Sequence, residues 1–124
     1  MVKRIQQLFD TVIVSAHHWG WNYLLLENNM WNIKRIDEKN LKKIKFIAFF
    51  QTAPINAITS YAKVKKINYN WELSHYDVYL SGKLIFIKPL KLDDDNILLR
   101  PIGTKYTLLN KLLNARKLSD LINK

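Results

Sequence analysis

Residues 45–67, KFIAFFQTAPINAITSYAKVKKI, carry the densest hydrophobic pattern in this 124-residue chain, and the other segments are read around them. The first run, 45–51, is short, apolar and aromatic, which predicts a strand buried on both faces, because a helix needs more length. Residues 58–67 alternate instead. Strand side chains repeat every two residues, so Ile58, Ser60, Ala62 and Val64 are expected on one face and Thr59, Tyr61, Lys63 and Lys65 on the other. Between the runs, Pro54 removes a backbone donor and biases Ala53 toward extended geometry, which predicts a defined loop.

The flanking segments read as shorter elements. Residues 11–16 (TVIVSA) have the β-branched composition of a buried strand and run into His17, His18, Trp19 and Gly20, where the glycine permits a change of direction. Residues 21–28 place Trp21, Leu24 and Leu25 on a helical stripe; residues 31–36 alternate as a second strand, and Asp37 is positioned to cap a brief helix through Lys43. Ser81-Gly82 separates residues 75–80 from 83–88, and this spacing predicts a hairpin with a two-residue turn. Residues 97–102 predict a last strand with Pro101 at an edge or end, and residues 107–115 set Leu108, Leu109, Leu112 and Leu113 at helical spacing. About six strands with short flanking helices predict a single α+β domain over residues 1–124. It should be mostly β and curled or closed, which removes exposed strand edges.

Charge changes the picture. Twenty Lys and Arg against ten Asp and Glu give +10, a balance that in so small a domain implies a polyanionic partner. Residues 34–66 hold nine basic residues against two acids, a net +7. An AT-rich genome or a thermophilic surface also produces lysine abundance. No apolar run approaches the ~18 residues of a membrane span. Asp10 interrupts the N-terminal apolar segment, so a cytoplasmic protein without membrane contact, monomeric or homodimeric, is expected. The absence of cysteine excludes disulfides, thiolate zinc sites and cysteine nucleophiles.

Catalytic groups are sparse. His17 and His18 are adjacent and on a strand would point to opposite faces, and Asp93, Asp94 and Asp95 lack the glycine and distal glutamate of a calcium loop. The three glycines build no phosphate loop, so neither metal nor cofactor is expected. A binding module is the expected class. Lys34, Arg35, Lys42, Lys43, Lys63 and Lys65 are the candidates for neutralising phosphates, with Tyr61 beside the last two as a stacking ring. Trp19, Trp31 and Phe50 supply flat rings, and Gln51, Thr52 and Asn56 place amides and a hydroxyl at a strand end, where they either read the edge of a planar ligand or serve as turn chemistry. Trp21 fits the core as well as a pocket mouth, and Trp71 is expected as core filler.

The order WNIKRI, then the central stretch, then a hairpin, then KYTLLNKLLNARKLSDL resembles the PUA-like superfamily, whose branches include PUA, ASCH, EVE and YTH domains. The resemblance spans residues 12–121. It implies a pseudo-barrel with helices around it and, in the EVE and YTH branches, a pocket for a modified base flipped from a nucleic acid. By similarity Phe50, Gln51, Thr52 and Ala57 fall on one pocket wall, with Trp19 or Trp31 opposite. The chain departs from the EVE pattern in lacking an Arg-Asn pair before the central strand, and from YTH in having no clearly placed third cage tryptophan. The expected function is therefore a non-enzymatic nucleic-acid-binding domain, for RNA or DNA, reading a modified or flipped base. The alternatives are a small ASCH-like ribonuclease using Lys63, Tyr61 or His17 as acid-base groups, and a regulatory subunit that docks a protein partner through its leucine-rich tail.

Overall fold

Residues 46–51 do lie at the centre of a sheet, with a strand on each side and side chains buried on both faces. The structure is a computed structural model and describes residues 9–17, 21, 28–91, 105–117 and 121. Its strands are β1 (Thr11–Ala16), β2 (Met30–Ile33), β3 (Phe46–Gln51), β4 (Ala57–Asn70), β5 (His75–Lys91) and β6 (Lys105–Thr107). They form one curled half-barrel sheet in the order β2-β5-β4-β3-β1-β6. β1 and β3 run parallel, and the other neighbours are antiparallel. A 3-10 helix, Glu38–Lys43, leads from β2 to β3, and α1 (Leu109–Asn114) follows β6. The mostly β pseudo-barrel with short flanking helices predicted from the sequence is the observed fold.

The two faces of β3 feed two apolar clusters. Ile47 and Phe49 point into the half-barrel with Val12, Val14, Ala62 and Val78. There Trp21 and Trp31 stand edge-on to Phe49, with ring centroids 5.9 and 5.3 Å away. Ala48 and Phe50 point the other way and pack with Ile13, Ile58 and Leu90 beneath Leu112 of α1. Burying a phenylalanine contributes about 2 kcal/mol, so this strand is the main apolar anchor of both layers. Asp10 ties the layers together. Its Oδ1 accepts the Thr11 hydroxyl and the Leu109 N–H, each at 2.8 Å, and its carbonyl accepts the N–H groups of Lys45 and Phe46 at 2.8 and 3.0 Å.

Three sequence expectations change. Ile58 does not share a face with Ser60, Ala62 and Val64, because Phe50 pairs with Ile58 while the preceding Phe49 pairs with Ser60. Thr59 is the extra residue of a bulge, which turns Ile58 toward Phe50 and α1. Ser81-Gly82 is not a hairpin turn. β5 runs through it, and Gly82, at φ 76°, sits in a second bulge where Tyr61 pairs with Ile85 but Lys63 pairs with Ser81. Asn29 fastens that bulge through its Nδ2, which donates to the carbonyls of Leu80 at 3.3 Å and Gly82 at 3.2 Å. A glycine bulge and a two-residue turn both use a positive φ, so the dipeptide alone does not separate them. The actual reversal is at residues 71–74, where the Ser74 N–H donates to Asn70 O at 2.8 Å.

The 3-10 helix begins after Asp37, whose side chain makes no capping bond. The C-terminal helix starts at Leu109, because Thr107 belongs to β6, a strand the hydrophobic pattern did not announce. The helix expected over 21–28, the acidic loop at 93–96 and the strand over 97–102 fall wholly or largely outside the described residues.

Candidate functional site

Strand register defines two ends of the half-barrel. At one end Thr11 pairs with Phe46 and Phe46 with Lys63, and β4 runs on from there toward its reversal. At the other, Ala16 pairs with Gln51, Gln51 with Ala57, and Ala57 with Lys91. The six residues of β3 separate the two by ~17 Å.

The far end holds the loop that the sequence singled out. The end of β1 and this loop do meet: the Thr52 N–H donates to Ala16 O at 3.2 Å, and Thr52 Oγ1 lies 3.2 Å from His17 Nδ1. Gln51 Oε1 accepts the Thr59 hydroxyl across the bulge. Ala57 is fully buried, and Asn56, at φ 49°, keeps its Oδ1 buried without a hydrogen-bond partner. Trp19 lies outside the described residues. Trp31 and Phe50 are 7% and 1% exposed and belong to different clusters, so the sheet stands between the two rings. His17, bonded to Thr52, is several strand positions from Tyr61 and Lys63, and the three groups weighed as ribonuclease chemistry do not come together.

The basic candidates divide between two concavities and the open surface. Lys34 and Arg35 line a cleft of about 480 Å³ in the seam between β1 and β2, together with Val14, Ser15, Trp31 and Asn32. The cleft exists because β6 pairs only with residues 11–13 of β1 and β2 pairs only with β5 among the described strands. Lys42, Lys65 and Lys66 line a second hollow of about 300 Å³ between the 3-10 helix and β4, over Leu41, Val64 and Ile67. Consecutive strand residues normally point to opposite faces. Here Val64 pairs with Leu80 and Lys66 with Tyr79, which leaves Lys65 as a bulge residue and lets both lysines border one hollow. Lys43 stands 5.3 Å over the Phe9 ring and Lys66 5.1 Å over Tyr79. Lys63 is exposed beside Phe46, whose ring meets Tyr61 edge-on at 6.1 Å.

No carboxylate lines either concavity among the described residues. Asp37 lies 3.8 Å from Lys39, an exposed pair that contributes little. Asp77 accepts from His75 Nε2 at 2.9 Å and Asn70 Nδ2 at 3.2 Å, so its charge is already engaged. No three metal-ligating groups gather into a cation site among the described residues.

Sequence reasoning passed over Lys66 and Trp71. Trp71, expected in the core, is 84% exposed at the β4–β5 reversal, with Tyr69 and Tyr76 stacked edge-on behind it at 4.7 and 4.9 Å in sequence. The signal was present in the alternation of Ile67, Tyr69 and Trp71 with Asn68 and Asn70, which extends β4 past the last residue that pairs with β3.

No family model matches the chain, and no curated protein matches it. Solved structures do. The crystal structure of ASCH from Zymomonas mobilis is 12% identical, with a TM-score of 0.55 over 79% of this chain and 87% of that one. A serine-to-alanine variant of the same protein gives 12% identity and a TM-score of 0.57, covering 79% and 88%. A tyrosine-to-phenylalanine variant gives 13% and 0.54, covering 79% and 90%. At these identities the likeness establishes the fold.

Proposed function

We propose that this chain, whose fold is the PUA-like pseudo-barrel of an ASCH domain, binds nucleic acid, RNA or DNA, and acts by holding it rather than cutting it. The observation that supports this reading is that both concavities beside the 34–44 connection and the β4 bulge are lined by cations, with no carboxylate among the described residues. Lysines arranged in this way displace condensed counterions from a phosphate backbone and give salt-dependent affinity. The seam cleft is roomy enough for one extruded base. Trp31 forms part of its wall, Ser15 and Asn32 bring polar groups, and Lys34 and Arg35 are placed to hold the flanking phosphates. A methylated base gains apolar contact in such a slot.

Titration against short labelled oligonucleotides over a salt series tests the reading. Affinity should fall steeply as salt rises, with a log-log slope of about 0.9 per phosphate engaged on a DNA duplex and about 0.7 on a single strand, and a flat salt response would rule it out. Within that framework Lys34→Ala with Arg35→Ala should reduce the slope by about two.

A further inference from the structure

Past Val64, whose N–H still donates to Lys45 O at 2.9 Å, no described strand pairs with β4 on its β3 side, and the ribbon it forms with β5 runs on to the reversal at residues 71–74. Ile67 borders the lysine hollow, and Tyr69 is the next residue on the same strand face, ~7 Å further along. Tyr69 is 38% exposed and its ring contacts Trp71 and Tyr76 at interplanar angles of 78° and 70°. The indole of Trp71 therefore rests against one ring edge and is otherwise open to water. An exposed tryptophan adds little to folding, and a contiguous apolar patch beside a basic hollow marks an interaction surface.

We propose that Tyr69 and Trp71 form a stacking platform for unpaired bases, continuous with the hollow in which Lys42, Lys65 and Lys66 take the phosphates of the same strand. The proposal rests on the nucleic-acid reading above and specifies its ligand as single-stranded. Bases stack on exposed rings whatever their sequence, whereas a duplex keeps its base faces covered. The same combination of aromatic and basic groups also suits an anionic bilayer. Glu72 at the apex argues against that occupant, since a tip entering lipid has to bury this carboxylate, while a strand lying along the ribbon leaves it in water.

The test compares the full chain with Trp71→Ala and Trp71→Phe on labelled oligouridine, oligothymidine and a duplex of equal length, each over a salt series. Trp71→Ala should weaken single-strand binding about tenfold with the salt slope unchanged, and Trp71→Phe should restore most of it. Duplex affinity should be the same in all three proteins. The platform is overturned if Trp71→Ala binds single strands like the parent while Lys42→Ala or Lys65→Ala weakens them. It is equally overturned if the parent binds phosphatidylserine vesicles through Trp71 and single strands without it. A parent protein that binds none of the oligonucleotides in a salt-dependent way removes the nucleic-acid reading itself, an outcome distinct from the other two.

Discussion

The two ends of the half-barrel use polar residues in opposite ways. Around Thr52 most of the polar groups are spent on the protein: the loop amide bonds Ala16, the hydroxyl meets His17, and Gln51 takes Thr59 across the bulge, while Asn56 Oδ1 is buried without a partner. Around Lys42 and Lys65 the chain gathers ammonium groups over an apolar floor and supplies no acid to meet them among the described residues. Neutral hydrogen-bonding groups at a strand end can satisfy one another within the fold, as Thr52 does with His17 and Gln51 with Thr59. Ammonium groups repel one another instead, and their placement together is the better indicator of an external partner.

Four variants break or sharpen this comparison, from the largest effect down. Phe49→Ala removes the ring on which Trp21 and Trp31 both pack, and should cost about 3–5 kcal/mol in urea unfolding; a loss under about 1 kcal/mol would mean the two ends do not share a core. Replacing Lys42, Lys65 and Lys66 together by alanine should lower the salt slope of single-strand binding by about two, whereas Gln51→Ala with Thr52→Ala should change affinity by no more than about twofold. Equal losses from the two sets would erase the distinction. Gly82→Ala tests the bulge that separates the halves of β5. An added Cβ has open space there, so the cost should be the positive φ alone, about 1 kcal/mol by thermal unfolding, with binding intact. Ser60→Ala deletes a fully buried hydroxyl that has no hydrogen-bond partner, and should leave stability unchanged or raise it by up to about 1 kcal/mol.

The fold was legible where periodicity is strong. The unbroken FIAFF run announced a strand with two buried faces, and the alternation after it announced a half-exposed neighbour. The pattern failed where a single inserted residue shifts the register. Thr59, Gly82 and Lys65 each sit at a bulge, and bulges depend on which partner strand lies alongside, information that no local window contains. The same limit applies to the site. The sequence identified Lys34, Arg35, Lys42 and Lys65 as basic residues in one third of the chain, and these do line concavities. It joined them to Gln51, Thr52 and Asn56 because both sets flank one stretch. A strand of six residues places the Lys42 and Lys65 hollow at the opposite end of the sheet from that loop, whereas Lys34 and Arg35 lie across the seam from Val14 and Ser15, on the half of β1 that leads to Ala16 and Thr52.

The bond from Asp10 to Leu109 spans ninety-nine positions of sequence and joins the start of β1 to α1. Closing so long a loop is entropically costly, so this clasp should form after the β4–β5 ribbon has zipped locally. Leu109 and Leu112 of α1 then act as a lid fastened last over Ile13 and Phe50. A chain cut short at Gly103 should leave that oily surface bare and clump, the outcome expected where this helix closes the fold.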